Sequence, residues 1–435
     1  MRLTPSPRTI LFFAFFNLLL SGYGFTVDSK TAFRIEKSIK DHYQEIINTR
    51  RFIHMNPELG NREFETAKLI ASKLLSLGFE IRTGVGKTGV VALLRGAQPG
   101  QTVAIRADMD ALPIQEKTGQ TYESLNPGIM HACGHDVHTA IALGTAMILS
   151  DIKDKIKGNV KFIFQPAEEG APFGEEGGAQ LMIKEGALEN PEVGAIFGLH
   201  VWPTNIGKVA FSDGFVMASS DFFRITINGK SAHGAQPQKG IDAIVIAAQI
   251  IQGIQSIVSR TNDPTDPAVV TIGKITGGTR SNILAEQAIM EGTVRTVNNI
   301  NRNRIELSIK NIVKGIAESF GADYTVDYNR GAPPLYNHPE LAKTMSPTLL
   351  RVLGPPNVES IKPQMVAEDF SYFCQKVPGF YFMLGVKDPQ DNNPAPLHNP
   401  SFNPDERSIP LGIKVMSHLL LDFLDHQIQM ENYPD

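Results

Sequence analysis

"GNVKFIFQPAEEG", Gly158 to Gly170, is the stretch on which the fold turns. Val160, Phe162, Ile163 and Phe164 form a short run of β-branched and aromatic residues that Gln165-Pro166 interrupts. Such a run, bounded by turn formers, reads as a strand running into a loop. Two adjacent glutamates, Glu168 and Glu169, follow at once. Neighbouring stretches have the same grammar. "TGVVALLRG" (88–96), "TVAIRADMD" (102–110) and "AIFGLHVWP" (195–203) read as strands, and "HTAIALGTAMILSDI" (138–152) as a long apolar helix. Helical spacing also covers Thr31 to Arg50 and about Glu63 to Leu77, where Gly78 stops it. Strands alternating with helices imply an α/β domain with a largely parallel sheet. In such sheets chemistry collects beyond the strand ends.

After Gly214 the pattern changes. "SSDFFRITINGKSAHG" (219–234) alternates like a half-exposed antiparallel strand. A helix ("GIDAIVIAAQIIQGIQSIVSR"), two strands ("AVVTIGKITGG", "AIMEGTVRTV"), a helix ("NRIELSIKNIVKGIAESFG") and a strand ("DYTVDYNRG") follow. Strand, helix, strand, strand, helix, strand is the split βαβ order of a four-stranded sheet with two helices. The expected fold class is therefore α/β: a mostly parallel-sheet domain over 30–216 and 329–435, interrupted by an inserted α+β domain over 217–328. The chain returns through "PPLYNHPE" and two further helical stretches. "KDPQDNNPAPLHNPSFNPD" (387–405) reads as an irregular functional loop.

A length of 435 residues agrees with two domains. A net charge of -4, without any basic run, excludes nucleic acid as the expected partner. Arg2 and Arg8, the apolar run Ile10 to Leu20 and the small residues of "SGYG" read as a signal peptide over 1–24, cleaved near Gly24. That predicts an exported protein with no membrane attachment after cleavage, since no later segment is expected to be apolar enough to cross a bilayer. Cys133 and Cys374 are the two cysteines. Cys133 lies in a histidine cluster and is better used as a metal ligand than in a disulfide, and Cys374 is expected to be a buried small hydrophobe.

The chemistry concentrates in "HACGHDVHT" (131–139). Cys133 and His135, two apart with Gly134 to turn the backbone, can bind one metal or straddle two. His138 reads equally as a ligand, a partner to a ligand, or a helix cap. Of Glu168 and Glu169, adjacent residues that point in different directions, one can bind metal while the other takes a proton from activated water. Glu175 and Glu176 read as solvated. His200 sits at a strand end and His398 in the late loop. Asp108 or Asp110 can ligate, or orient a histidine. Phe173, Phe215, Met217 and Leu335 are assigned to core packing rather than to an acyl pocket.

"RADMDALP", "HACGHDVHT", "FQPAEEG", "GLHVWP", "SAHGAQP" and "LHNPSF", in this order and spacing, resemble the amidohydrolase branch of the aminoacylase-type metallopeptidases over about residues 35–425. That branch includes hippurate hydrolase, N-acyl-amino-acid amidohydrolases and indole-3-acetyl-amino-acid hydrolases. The resemblance implies two divalent metal ions (zinc, manganese or cobalt) on Cys133, His135, Glu169, His200 and His398, with Cys133 bridging. It implies Glu168 as general base and Asp110 supporting a ligand. The inserted domain resembles a dimerisation or lid domain. There His233 would stabilise the oxyanion, its own or the partner's in a homodimer, and Asn282 would bind the carboxylate side of a small N-acyl amino acid, with Arg280 as an added candidate. A dipeptidase or carboxypeptidase of the same superfamily is the alternative, but such relatives usually carry carboxylates where this chain has Cys133 and His135. A metal-binding protein without catalysis would not require Glu168 beside Glu169.

Overall fold

The computed structural model describes residues 27–426, so the signal-peptide reading of 1–24 lies outside the described residues. Helix α1 (Ser29–Met55) starts where the Asp28 carboxylate accepts the Thr31 N–H at 2.7 Å, an N-cap that satisfies one of the helix's orphan donors. α2 (Phe64–Ser76), β1 (Glu80–Val85), β2 (Gly89–Arg95) and β3 (Gln98–Asp108) follow. Then come α3 (His135–Asp151), β4 (Lys157–Gln165), α4 (Gly178–Lys184), β5 (Ala195–Asn205) and β6 (Val209–Phe211).

The chain next enters a second compact unit, Gly214–Asn337 with Ile361–Lys376. It holds β7 (Phe215–Met217), β8 (Asp221–Asn228), α5 (Ala243–Ser256), β9 (Ala268–Gly277), β10 (Gln287–Thr296), α6 (Asn299–Ser319), β11 (Asp323–Arg330) and β12 (Leu335–Tyr336). α7 (Pro339–Leu353) and β13 (Val358–Ser360) belong to the first unit, the short α8 (Ser371–Cys374) to the second, and β14 (Gly379–Lys387) and α9 (Ser408–His426) again to the first.

The first unit is built on an eight-stranded sheet of order β1-β2-β4-β3-β5-β14-β6-β13. β4, β3, β5 and β14 pair in parallel, while β1 and β2 pair antiparallel at one margin. Phe162, Phe164, Phe197, Phe380 and Phe382 bury fully, and Phe197 meets Phe423 of α9 at 5.8 Å between ring centroids. Each such side chain contributes about 1.5–3 kcal/mol by leaving water. α3 is buried from His135 through Leu149, and it is held by α1 and α9.

The second unit is an antiparallel sheet of order β11-β8-β10-β9. Phe223, Ile225 and Met290 of its strands pack with Ile246, Ile250 and Ile254 of α5 and Ile305 and Ile309 of α6. The sequence reading bounded this insertion at 217 and 328 and left Ile361–Lys376 outside it. Backbone pairing ties that segment in: the Gln364 N–H donates to Val216 O at 2.9 Å and the Ala218 N–H to Gln364 O at 3.0 Å.

Three further expectations are corrected. Among the described residues one helix, Ala243–Thr261, is long and apolar enough to cross a membrane by length and composition; its isoleucine stripe faces the core of the second unit. Cys374 is only half-buried, and both cysteines are free thiols. Phe173 packs against no core but is fully exposed on its loop.

Candidate metal centre

Register brings three strand ends level. Asp108 of β3 pairs with Gln165 of β4, and β3 also pairs in parallel with β5, which carries His200, as far as Ile105 and Phe197. Just past β4, Ala167 takes φ +51 and turns the chain into Glu168 and Glu169. α3 starts at the same edge. Gly134 stands at φ +87 between Cys133 and His135, and a Cβ there would lie 2.4 Å from Val201 Cγ2, so the turn needs glycine. The loop before α9 brings in His398, itself at φ +62, and its N–H donates to Ala132 O at 2.9 Å.

The structure thus gathers Cys133, His135, Glu168, Glu169, His200 and His398. Cys133 Sγ is 3.4 Å from His200 Nε2 and 3.2 Å from His398 Nε2, which is 3.0 Å from Glu169 Oε1. Two ligand triads, Cys133–His135–His200 and Cys133–Glu169–His398, each have their ligand atoms within 4.8 Å of one another and share the sulfur. His200 Nδ1 lies 2.6 Å from Val201 O, so Nδ1 carries the proton and Nε2 keeps its lone pair for the centre. Asp110 does two tasks: Oδ1 holds His135 Nδ1 at 3.1 Å, and Oδ2 accepts the Glu169 N–H at 3.0 Å. The opposite nitrogen, His135 Nε2, is buried without a hydrogen-bond partner. Such an orphan is costly unless a ligand completes it, and it fits a metal ion.

The alternatives left open for His138 close here. Its Nδ1 lies 2.6 Å from Asp108 Oδ1 and its Nε2 accepts the Val201 N–H at 2.9 Å, so both ring nitrogens are committed. Asp108 Oδ2 is held by Arg106 at 2.6 Å. Asp108 and His138 are therefore a brace behind the centre, although their atoms lie close enough to suggest a third triad with His135. His131 is buried beside His54, and burial lowers its pKa to about 3, which leaves it neutral.

The field at the centre is strongly negative. Burial, Glu169, Glu168 and Asp108 push the Cys133 thiol well above its usual range. Burial opposes charge on His135, yet Asp108 and Asp110 outweigh it and raise its pKa to about 10. The hydrogen bond from His398 to Glu169 raises the imidazole; for Glu169, burial acts upward, but His398 and His135 bring it below the ordinary value. With a divalent cation bound, these costs would be reversed and the protons released. The donor set thus suits cations that accept thiolate, imidazole and carboxylate together.

Sequence reasoning missed the supports. Asp136 is fully buried under the start of α3, where Arg50 Nε at 2.8 Å and His54 Nδ1 at 2.7 Å meet its Oδ2. Glu63 is also fully buried. A charged residue inside an apolar helix face was the available signal for Arg50. Glu175 is not simply solvated: Arg62 pairs with it at 2.6 Å and, with Asn61, lowers it to about 2. Glu176 is exposed and pairs with Lys184 at 3.0 Å.

His233, Arg280 and Asn282 lie in the second unit and are exposed there. Their loops are adjacent, since the Gly234 N–H donates to Asn282 O at 2.8 Å and His233 forms a bridge with Ile283. The Ile283 N–H closes a turn onto Arg280 O at 3.2 Å.

Comparison with known proteins gives a consistent result. The sequence model of peptidase family M20/M25/M40 matches residues 104–422. An N-acyl-L-amino acid amidohydrolase of Geobacillus stearothermophilus is 43% identical over 307 residues, covering 70% of this chain and 81% of the relative. Thermostable carboxypeptidase 2 of Saccharolobus solfataricus is 39% identical, covering 89% of this chain and 97% of the relative. Among solved structures, Bacillus subtilis YXEP, described as a dinuclear metal binding peptidase of the M20 family, aligns with a TM-score of 0.76 at 36% identity, covering 89% of this chain and 99% of that one.

Proposed function

The chain belongs to peptidase family M20/M25/M40, and from that membership we propose that it hydrolyses the amide bond of N-acyl amino acids with two divalent cations held by Cys133, His135, Glu169, His200 and His398. That it is a metal-binding hydrolase of this family follows from the relatives and the donor groups. The observation that carries the proposal is the convergence of five donors on two triads that share one sulfur, around an imidazole nitrogen with no hydrogen-bond partner. Cys133, common to both triads, would be a donor to both cations. Thiolate favours zinc, while manganese and cobalt also accept imidazole.

The chemistry such cations supply when bound is acidification of water and polarisation of a carbonyl. The other tasks fall to side chains. Glu168 is largely buried, with Oε2 3.9 Å from His135 Nε2; it takes a proton from the attacking water and delivers it to the leaving nitrogen. Asp110 keeps the His135 ring and the Glu169 backbone in one geometry. His233 Nδ1 accepts the Ala235 N–H at 3.0 Å, so its proton sits on Nε2 and the ring offers a donor for the oxyanion. Asn282, with Arg280 nearby in sequence, takes the α-carboxylate of the product amino acid. An exported homodimer, paired through the second unit, completes the reading.

A C-terminal peptide bond is the second substrate class, favoured by the carboxypeptidase name of a relative 39% identical. For either bond the test is E168Q. Turnover of an N-acetyl amino acid is expected to fall by about 10²–10⁴ while bound metal is unchanged. Near-normal turnover with full metal would remove Glu168 from the proton path.

A further inference from the structure

We propose that Glu63 is a positioning residue, which fixes the Ala167 turn and with it the aim of Glu168. The inference rests on the reading of Glu168 as general base.

The side chain of Glu63 stands at the start of α2 but makes no cap there. It turns inward instead and is fully buried. Oε1 accepts the N–H of Ala167 at 2.9 Å, and Oε2 accepts the Thr88 hydroxyl at 2.5 Å. Ala167 is a non-glycine residue at φ +51, a conformation that costs free energy and persists only when its surroundings enforce it. The residue that follows it is Glu168.

The neighbours of Glu63 grip the same turn. A Cβ on Gly60 would come 2.8 Å from Gly170 O and 3.1 Å from Ala167 Cα, so the two backbones touch. Asn61, buried at φ +59, donates to Glu176 O at 3.0 Å and to Glu175 Oε2 at 3.1 Å. The carbonyl of Glu58 accepts the Ala111 N–H at 2.8 Å, one residue past Asp110. Residues 58–63 therefore hold both the loop that carries Asp110 and the turn that carries Glu168 and Glu169. A ligand-binding loop would be held equally well by contacts anywhere along it. Here two of the contacts, the Glu63 carboxylate and the Gly60 backbone, fall on Ala167, the residue before the base.

Burial and the charge of Asp110 raise Glu63 to about 7. The grip survives either protonation state, because the Thr88 hydroxyl can accept where it had donated. Glutamine can keep both bonds for the same reason, with its oxygen toward Ala167 and its amide toward Thr88. Alanine keeps neither.

The experiment uses the metal-loaded enzyme and an N-acetyl amino acid. E63A and G60A are expected to lower kcat by about tenfold to a hundredfold, because a displacement of about 1 Å suffices for that. KM should stay within about threefold and metal content should match the wild type, and E63Q should restore kcat to within about threefold of wild type. A readout free of activity accompanies these: amide exchange of the 160–172 segment in metal-free protein should quicken in E63A and remain slow in E63Q. Should E63A fail to fold, G60A and E63Q still decide. Unchanged kcat in E63A or G60A, an E63Q as slow as E63A, or a joint loss of KM, metal and kcat overturns the proposal. E168Q run alongside separates the two readings. An active E168Q defeats the base assignment, whereas an inactive E168Q beside a fully active E63A defeats only the role of Glu63.

Discussion

A buried carboxyl such as Glu63 makes stability depend on pH in a direction opposite to most acids. Its pKa is raised from 4.5 to about 7 by burial and by Asp110. The folded protein thus binds the proton more tightly than the unfolded chain. Its contribution is fully present below the unfolded value and is lost as pH rises through about 7. In metal-free protein, the urea midpoint of wild type relative to E63Q is expected to fall between pH 5 and pH 8; a constant difference would contradict the raised pKa. The sequence hid this residue for a physical reason. An acid at the first turn of a helix reads as favourable to the helix dipole, and nothing local reveals a side chain turned away from the helix. His138 was ambiguous on the same grounds, because Asp108 and Val201, which occupy its nitrogens, are distant in sequence. Cys133, His135, Glu169, His200 and His398 were legible as candidates because soft and acidic side chains at strand ends have few structural uses.

The start of α3 shows how one element sets several ligands. Gly134 holds φ +87 against Val201, with Cys133 on one side and His135 on the other. G134A is expected to cost about 1–3 kcal/mol of stability through the forced left-handed conformation, and to weaken metal binding as the two donors shift. Thermal melting and a chelator competition measure both; unchanged values would mean that the turn can move freely. The strands and helices of the alternating region, and the split order of the second unit, follow from their periodicity. β14 does not. "GFYFMLGV" is buried on both faces, so it lacks the alternation that marks a strand, and an unbroken apolar run resembles a core helix. Its place between β5 and β6 depends on parallel pairing with a strand far earlier in the chain, which no local pattern encodes. The assignment of Ile361–Lys376 to the second unit is likewise a matter of pairing across distance.

For the molecule as a whole, the field at the donor set is the decisive property. A chain with a net charge of only -4 concentrates Asp108, Asp110, Glu168 and Glu169 around a thiol and three imidazoles. Arg106 pairs with Asp108 at 2.6 Å. Folding around so many acceptors is sustained by what binds them, so the apo protein should bind cations avidly and lose protons as it does. The most direct measurement is a titration of chelator-stripped protein with zinc, manganese or cobalt, following amino acid release from an N-acetyl amino acid. Turnover is expected to be absent without metal, to rise on addition and to level at two equivalents per chain. A plateau at one equivalent, or turnover that persists after the metal is stripped, would contradict a two-cation centre on these five residues.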